Sequence, residues 1–185
     1  YASLNKKIKS QCSIHFIAGM DYRFKLNNRN YMFTAEAYYK LLSNLRPYSI
    51  NNVKVVYYGP NEGKGHTAGI DFKLYGEFVP GTDSWISLSL MSTSMKLHGK
   101  SIALPTDQRY SVNLFFTDYF PGTDRWKMSL KLAFADGLPF SPPHRNIEWQ
   151  QFRSPAYKRA EIGMSYRALD NEKRERKSPF RNIWI

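Results

Sequence analysis

The chain has 185 residues, 16% of them aromatic, with 13 Tyr and 12 Phe. So many rings exclude a disordered tail or linker, and the length suits one domain. The formal net charge is +12, but the basic residues are scattered, which predicts a basic rim on solvated loops and no nucleic-acid groove. No run approaches the roughly 18 consecutive apolar residues of a transmembrane helix. Cys12 stands alone, so neither an intrachain disulfide nor a cysteine zinc cluster is expected. The chain opens at Tyr1 without a charged-then-apolar leader and is read as an internal portion of something longer.

The informative signal is strict two-residue alternation, which places successive side chains on opposite faces of a strand. Ile14, Phe16, Ala18, Met20, Tyr22, Phe24 and Leu26 share one face; Ser13, His15, Ile17, Gly19, Asp21, Arg23 and Lys25 share the other. Tyr31, Phe33, Ala35, Ala37, Tyr39 and Leu41 then oppose Thr34, Glu36 and Lys40. Val53 to Tyr58 is a shorter β-rich run. Ala68, Ile70, Phe72, Leu74 and Phe78 oppose Thr67, Asp71, Lys73 and Glu77. Ile86, Leu88 and Leu90 oppose Ser87 and Ser89, with Trp85 and Met91 breaking the pattern. Tyr110, Val112, Leu114 and Phe116 oppose Arg109, Ser111, Asn113 and Thr117. Trp126 through Phe134 and Ala160 through Tyr166 alternate likewise, and Arg181 to Ile185 reads as a strand that has only begun.

These runs are longer than the usual strand of about 5–6 residues and match the roughly 9–11 that a tilted strand needs to cross a bilayer. The links alternate in length. Asn27–Asn30, Pro80–Ser84 and Pro121–Arg125 are tight; Ser43–Gly65, Lys96–Gln108 and Asp136–Pro155 are long; the charged link Asn171–Ser178 is intermediate. Outer-membrane barrels show such asymmetry, with short periplasmic turns and longer extracellular loops. Phe78-Val79-Pro80-Gly81-Thr82-Asp83-Ser84-Trp85 recurs as Tyr119-Phe120-Pro121-Gly122-Thr123-Asp124-Arg125-Trp126, predicting two equivalent hairpin corners flanked by interfacial aromatics.

Other motifs favour plain roles. Gly59 to Gly65 lacks the spacing and the following Ser or Thr of a phosphate loop, so a flexible loop tip is expected. His15, His66, His98 and His144 are far apart and form no metal-ligand spacing. Asp21, Glu36, Asp71, Glu77 and Glu161 are expected to pair with Arg23, Lys40, Lys73, Lys131 and Arg167 across strands. Glu172 to Lys177 mixes acid with base as a solvated turn does. No nucleophile elbow or paired catalytic carboxylate appears, so neither enzymatic activity nor a cofactor or metal is expected.

The fold class expected is all-β, a long antiparallel meander of about eight or nine strands. Alternation alone leaves open which face meets water, and a soluble lipocalin-like barrel with a small apolar ligand inside is one alternative. A small self-contained outer-membrane barrel is the other. Loop asymmetry, aromatics at strand ends and a charged, Ser- and Gly-containing polar face favour apolar-out. The residues expected to face lipid are then Phe16, Met20, Phe33, Tyr39, Ile70, Phe72, Leu74, Leu88, Leu114, Phe116, Leu130, Leu132, Ile162 and Met164. Those expected to face the lumen are Asp21, Arg23, Glu36, Lys40, Asp71, Lys73, Glu77, Asn113, Lys127, Lys131, Arg159, Glu161 and Arg167. Lys6, Lys7, Lys9, Lys96 and Lys100 fall on the inferred outer side, where lipopolysaccharide phosphates would meet them.

Several stretches carry a resemblance. Phe33-Thr34-Ala35-Glu36-Ala37-Tyr38-Tyr39-Lys40 followed by Leu45-Arg46-Pro47-Tyr48, and Gly63 through Phe72, resemble barrel strands of TonB-dependent receptors. Thr106 to Tyr110, Phe116 to Tyr119, Asp124 to Lys127, Pro155 to Arg159 and Ile162 to Tyr166 are similar to late barrel segments of that family. The likeness is nearest to members with an N-terminal carboxypeptidase-regulatory-like domain. It implies that residues 1–185 are part of a bacterial outer-membrane transmembrane barrel of about 22 strands, lacking its plug and closing strands. It further implies import of a large scarce nutrient, powered by the TonB complex through parts of the protein outside this sequence. No ligand-binding residue is carried over.

Overall fold

The computed structural model describes residues 8–51, 54–57, 59–141, 152–170 and 182–185. Its elements are β1 (Cys12–Leu26), β2 (Arg29–Leu45), β3 (Tyr48–Asn51), β4 (Lys54–Tyr57), β5 (Gly63–Gly76), β6 (Ser84–Leu97), β7 (Lys100–Ala103), β8 (Tyr110–Tyr119), β9 (Trp126–Ala135), β10 (Pro139–Phe140), β11 (Phe152–Arg153), β12 (Tyr157–Asp170) and β13 (Asn182–Trp184). The described residues contain no helix. The main sheet runs β1-β2-β5-β6-β8-β9-β12-β13, with β7 folded back on β6, so chain neighbours are sheet neighbours in an antiparallel meander. This is the all-β meander that the alternation predicts.

Register carries the alternation from strand to strand. Met20 lies opposite Ala35, which in turn lies opposite Phe72, then Leu88, then Val112, then Phe134. In a period-2 structure one such match sets the face of every other residue on the strand. Trp85 and Met91, which break the apolar row of β6, belong to the polar face. The sheet is open: among the described residues β1 pairs only with β2, and β13 only with β12.

The tight links form turns that suit their residues. Asn27 and Asn28 adopt φ of 52° and 61°, the left-handed pair that a two-residue hairpin of matching twist requires. The two Pro-Gly corners place Gly81 at φ 75° and Gly122 at φ 80°, and the amides of Thr82 and Thr123 donate to the carbonyls of Val79 and Phe120 at 3.1 Å. Both are four-residue turns with Pro second and Gly third. Their surroundings differ. Thr82 is buried, its hydroxyl donating to the carbonyls of Val79 and Thr117, whereas the Thr123 hydroxyl accepts from the Arg125 amide in an exposed turn.

The long links hold structure that the alternation does not announce. Ser43–Gly65 contains the β3–β4 hairpin and the start of β5, so Gly63 and Gly65 are strand residues and not part of a loop tip. Asn61, in the same stretch, is buried and exchanges hydrogen bonds with the backbone of Lys9. Lys96–Gln108 contains β7, reached through a tight turn with left-handed His98 and Gly99. Asp136–Pro155 contains the short β10–β11 ladder. Glu172 to Lys177, His144, Lys6, Lys7, Val53, Tyr58 and Arg181 lie outside the described residues.

Candidate functional site

The sheet is one layer with two chemically different faces. On the apolar face Phe16, Met20, Phe33, Tyr39, Ile70, Phe72, Leu74, Leu88, Leu114, Phe116, Leu130, Leu132, Ile162 and Met164 all share a side, by register. Six of these fourteen are exposed, among them Phe16 and Met20 at 58% and Ile162 at 73%, and the other eight are half-buried. A contiguous apolar surface of this extent marks contact with another apolar phase or partner.

The opposite face carries most of the charged strand residues. Asp21, Arg23, Glu36, Lys40, Asp71 and Lys73 on β1, β2 and β5 share a side with Asn113, Lys127, Lys131, Arg159 and Glu161 on β8, β9 and β12. Glu77 continues the same parity beyond β5, and Arg167 sits at a bulge in the β12–β13 ladder. The expected cross-strand ion pairs are replaced by other contacts among the described residues. Asp21 accepts from the Thr34 hydroxyl at 2.7 Å, Glu161 pairs with Arg159 of its own strand, and Arg167 pairs with Asp124 at 2.8 Å. Lys73 and Lys127 lie over the rings of Trp85 and Tyr119. The Thr34 hydroxyl stands directly opposite Asp21 on β2, within reach of its short carboxylate, and a long lysine stem gains by covering a ring.

The buried apolar side chains sit on this polar side. Met95, Ile102 and Leu104 form the core cluster, with Leu42, Leu45 and Leu97 packed against it. Met95 faces Ile102 across β6 and β7, and the Leu104 amide donates to the Thr93 carbonyl. Ala135, the remaining buried apolar residue, pairs with Ser111 on the same side. The apolar face contributes no buried apolar side chain among the described residues.

Above that core, at the long-link end, charges knit the loops together. Asp107 accepts from the Thr93 amide at 2.5 Å and pairs with Arg153. Arg153 also reaches Asp136 at 3.0 Å and donates to the carbonyls of Asp107 and Gly137. Arg109 grips Asp136 with two nitrogens, at 2.5 and 3.1 Å. Both carboxylates are buried, and the hydrogen bond from Arg109 holds the Asp136 carboxyl below its ordinary range. Removal of one partner from such a network leaves a buried charge uncompensated. Asp107 and Arg109 lie together in the Thr106 to Tyr110 stretch, but nothing in the sequence pairs them with Asp136 and Arg153.

The rims of the apolar face carry a third feature. At the tight-turn end Tyr22, Phe24, Tyr31 and Phe78 form a row of stacked rings, and Trp126 packs on Tyr166 at 4.8 Å between centroids. Arg29 caps that end by donating to the Phe78 carbonyl at 2.8 Å. At the opposite rim Lys64, Lys96 and Lys158 stand on the apolar side, Lys158 lying over the Phe134 ring. Apolar band, rings and basic rim follow one another along the strand direction.

Among the described residues no group of His, Cys, Asp and Glu could hold a metal ion. No helix there is long and apolar enough to cross a membrane, which leaves crossing by strands open. No protein-family model matches the chain, and neither a curated protein nor a solved structure does.

Proposed function

We propose that this chain forms part of the wall of a bacterial outer-membrane TonB-dependent receptor that binds and imports a large scarce nutrient. One observation carries the membrane reading: the apolar face spans the long strands without cover, while every buried apolar side chain among the described residues lies on the other face. Burial of a Leu- or Phe-sized side chain is worth about 1.5–3 kcal/mol, so leaving a whole face of them in water is costly. Lipid removes the cost. Dimensions agree, since the twelve steps from Ile14 to Leu26 rise about 40 Å, or about 28 Å along the normal at 45° tilt, near the about 25 Å band of such barrels.

In this reading Asp21, Arg23, Glu36, Asp71 and their neighbours face a hydrated lumen or a plug. The long links, tied by Asp107, Arg153 and Asp136, stand outside the cell. Among the described residues β1 and β13 each leave one edge without a strand, and such an edge would need a strand partner in hydrocarbon. The same openness and the position of Met95 weigh against a closed soluble barrel with its core on the apolar face. The TonB-dependent identity itself rests on the sequence resemblance.

Refolding tests the membrane reading. The chain should become protease-resistant and β-rich with detergent or vesicles and should aggregate without them. A stable, soluble monomer in plain buffer would end this account.

A further inference from the structure

The loop-end rim of the apolar face holds an unusual pair. Lys64 and Lys96 stand directly opposite each other in the β5–β6 ladder, and Ser101 of β7 is opposite Lys96 on its other side. Like charges in direct cross-strand register are unfavourable, so the fold tolerates a repulsion here. Neither lysine makes an ion pair among the described residues. Between them opens a cavity of about 240 Å³, also lined by His66, Ser94 and Tyr39, with no carboxylate in its wall. The His66 ring is stacked on Tyr39 at 6.1 Å and lies 3.5 Å from the Ser94 hydroxyl.

We infer that this cavity binds the phosphate of an amphiphile, with the acyl chains lying down the apolar face. Two ammonium groups and two hydroxyls match the donors that a phosphate monoester needs, and an anion between the lysines converts repulsion into attraction. The row below runs past Tyr39, Ala68 and Ser92 to Ile70 and Leu90, so a chain attached to the phosphate meets a mainly apolar surface. A free phosphate would use the donors and ignore that row. The inference rests on the membrane reading and names the headgroup chemistry at one point on its rim.

The test uses the full chain with phosphatidylcholine vesicles, plain or doped with phosphatidate, and reads partition by flotation. Doped vesicles should be preferred, and the K64Q/K96Q double variant should lose roughly tenfold of that preference while entering plain vesicles as before. K25Q/K131Q, which removes equal charge from the opposite face, should keep the preference. Retention of the preference by K64Q/K96Q, or equal loss in both variants, would overturn the assignment. Inorganic phosphate at an ionic strength matched with chloride should leave the preference intact; erasing it would make free phosphate the ligand and overturn the amphiphile. Failure to enter plain vesicles would remove the membrane reading and this inference together, and that arm is read separately.

Discussion

The two faces of this sheet are built by the same strands yet hold their residues in opposite ways. Side chains on the polar face settle into specific partners: Met95 on Ile102, Lys73 over Trp85, Asp21 on Thr34. Those on the apolar face meet mainly their cross-strand neighbours, as Phe33 meets Phe72 at 6.1 Å, and otherwise look outward. Specific packing therefore resides where the sequence is more polar, and the greasier face is left without cover. In a water-soluble sheet the greasier face carries the core.

The largest effect expected from breaking this contrast is Met95→Ala. Met95 is 1% exposed, and truncating a buried Met costs about 2–5 kcal/mol. Leu88→Ala on the apolar face should cost far less in vesicles, since lipid fills the gap. Urea unfolding of the inserted chain compares the two. A similar cost for both would mean that the apolar face is packed against protein.

Charge sharpens the comparison at adjacent positions. Leu88→Arg should cost about 2–4 kcal/mol of inserted stability, the penalty for Arg near a bilayer midplane, whereas Ser89→Arg should change it by only a few tenths. Leu88 and Ser89 share strand, depth and sheet neighbours and differ only in the side they face. Equal penalties would contradict the two-faced account.

The smallest effect belongs to the loop network. Arg109 holds the Asp136 carboxyl below its ordinary value of 3.8. The contact thus stabilises fully above about pH 4 and is lost as the pH falls through the lower folded value. Protease nicking of the link between β9 and β12 should rise in that acidic window. Asp136→Asn should raise it at neutral pH and flatten the dependence.

The alternation made the sheet legible because a period of two depends only on adjacent residues. Ile14 to Leu26 and Trp126 to Phe134 announce both their strands and which residues share a strand face. β4 showed only as the β-rich run Val53 to Tyr58, and its partner β3 and the folded-back β7 were not legible. At four residues each they are too short for periodicity to show. The core was missed for a related reason: Met95 lies beyond the alternating run, and only β7 brings Ile102 back beside it. Arg153 and Asp107 lie 46 residues apart, and only the fold brings them together. Which phase covers each face is a property of the surroundings, and alternation is silent on it.

The central claim is most directly tested by quenching from the two phases. With Cys12 replaced by Ser, a fluorophore is placed on a cysteine at Leu88 or at Ser89, and the labelled chain is inserted into vesicles. The Leu88 probe should be quenched by brominated lipid and shielded from aqueous iodide, and the Ser89 probe should show the reverse. Matching responses at the two sites, or the opposite assignment, would contradict the account.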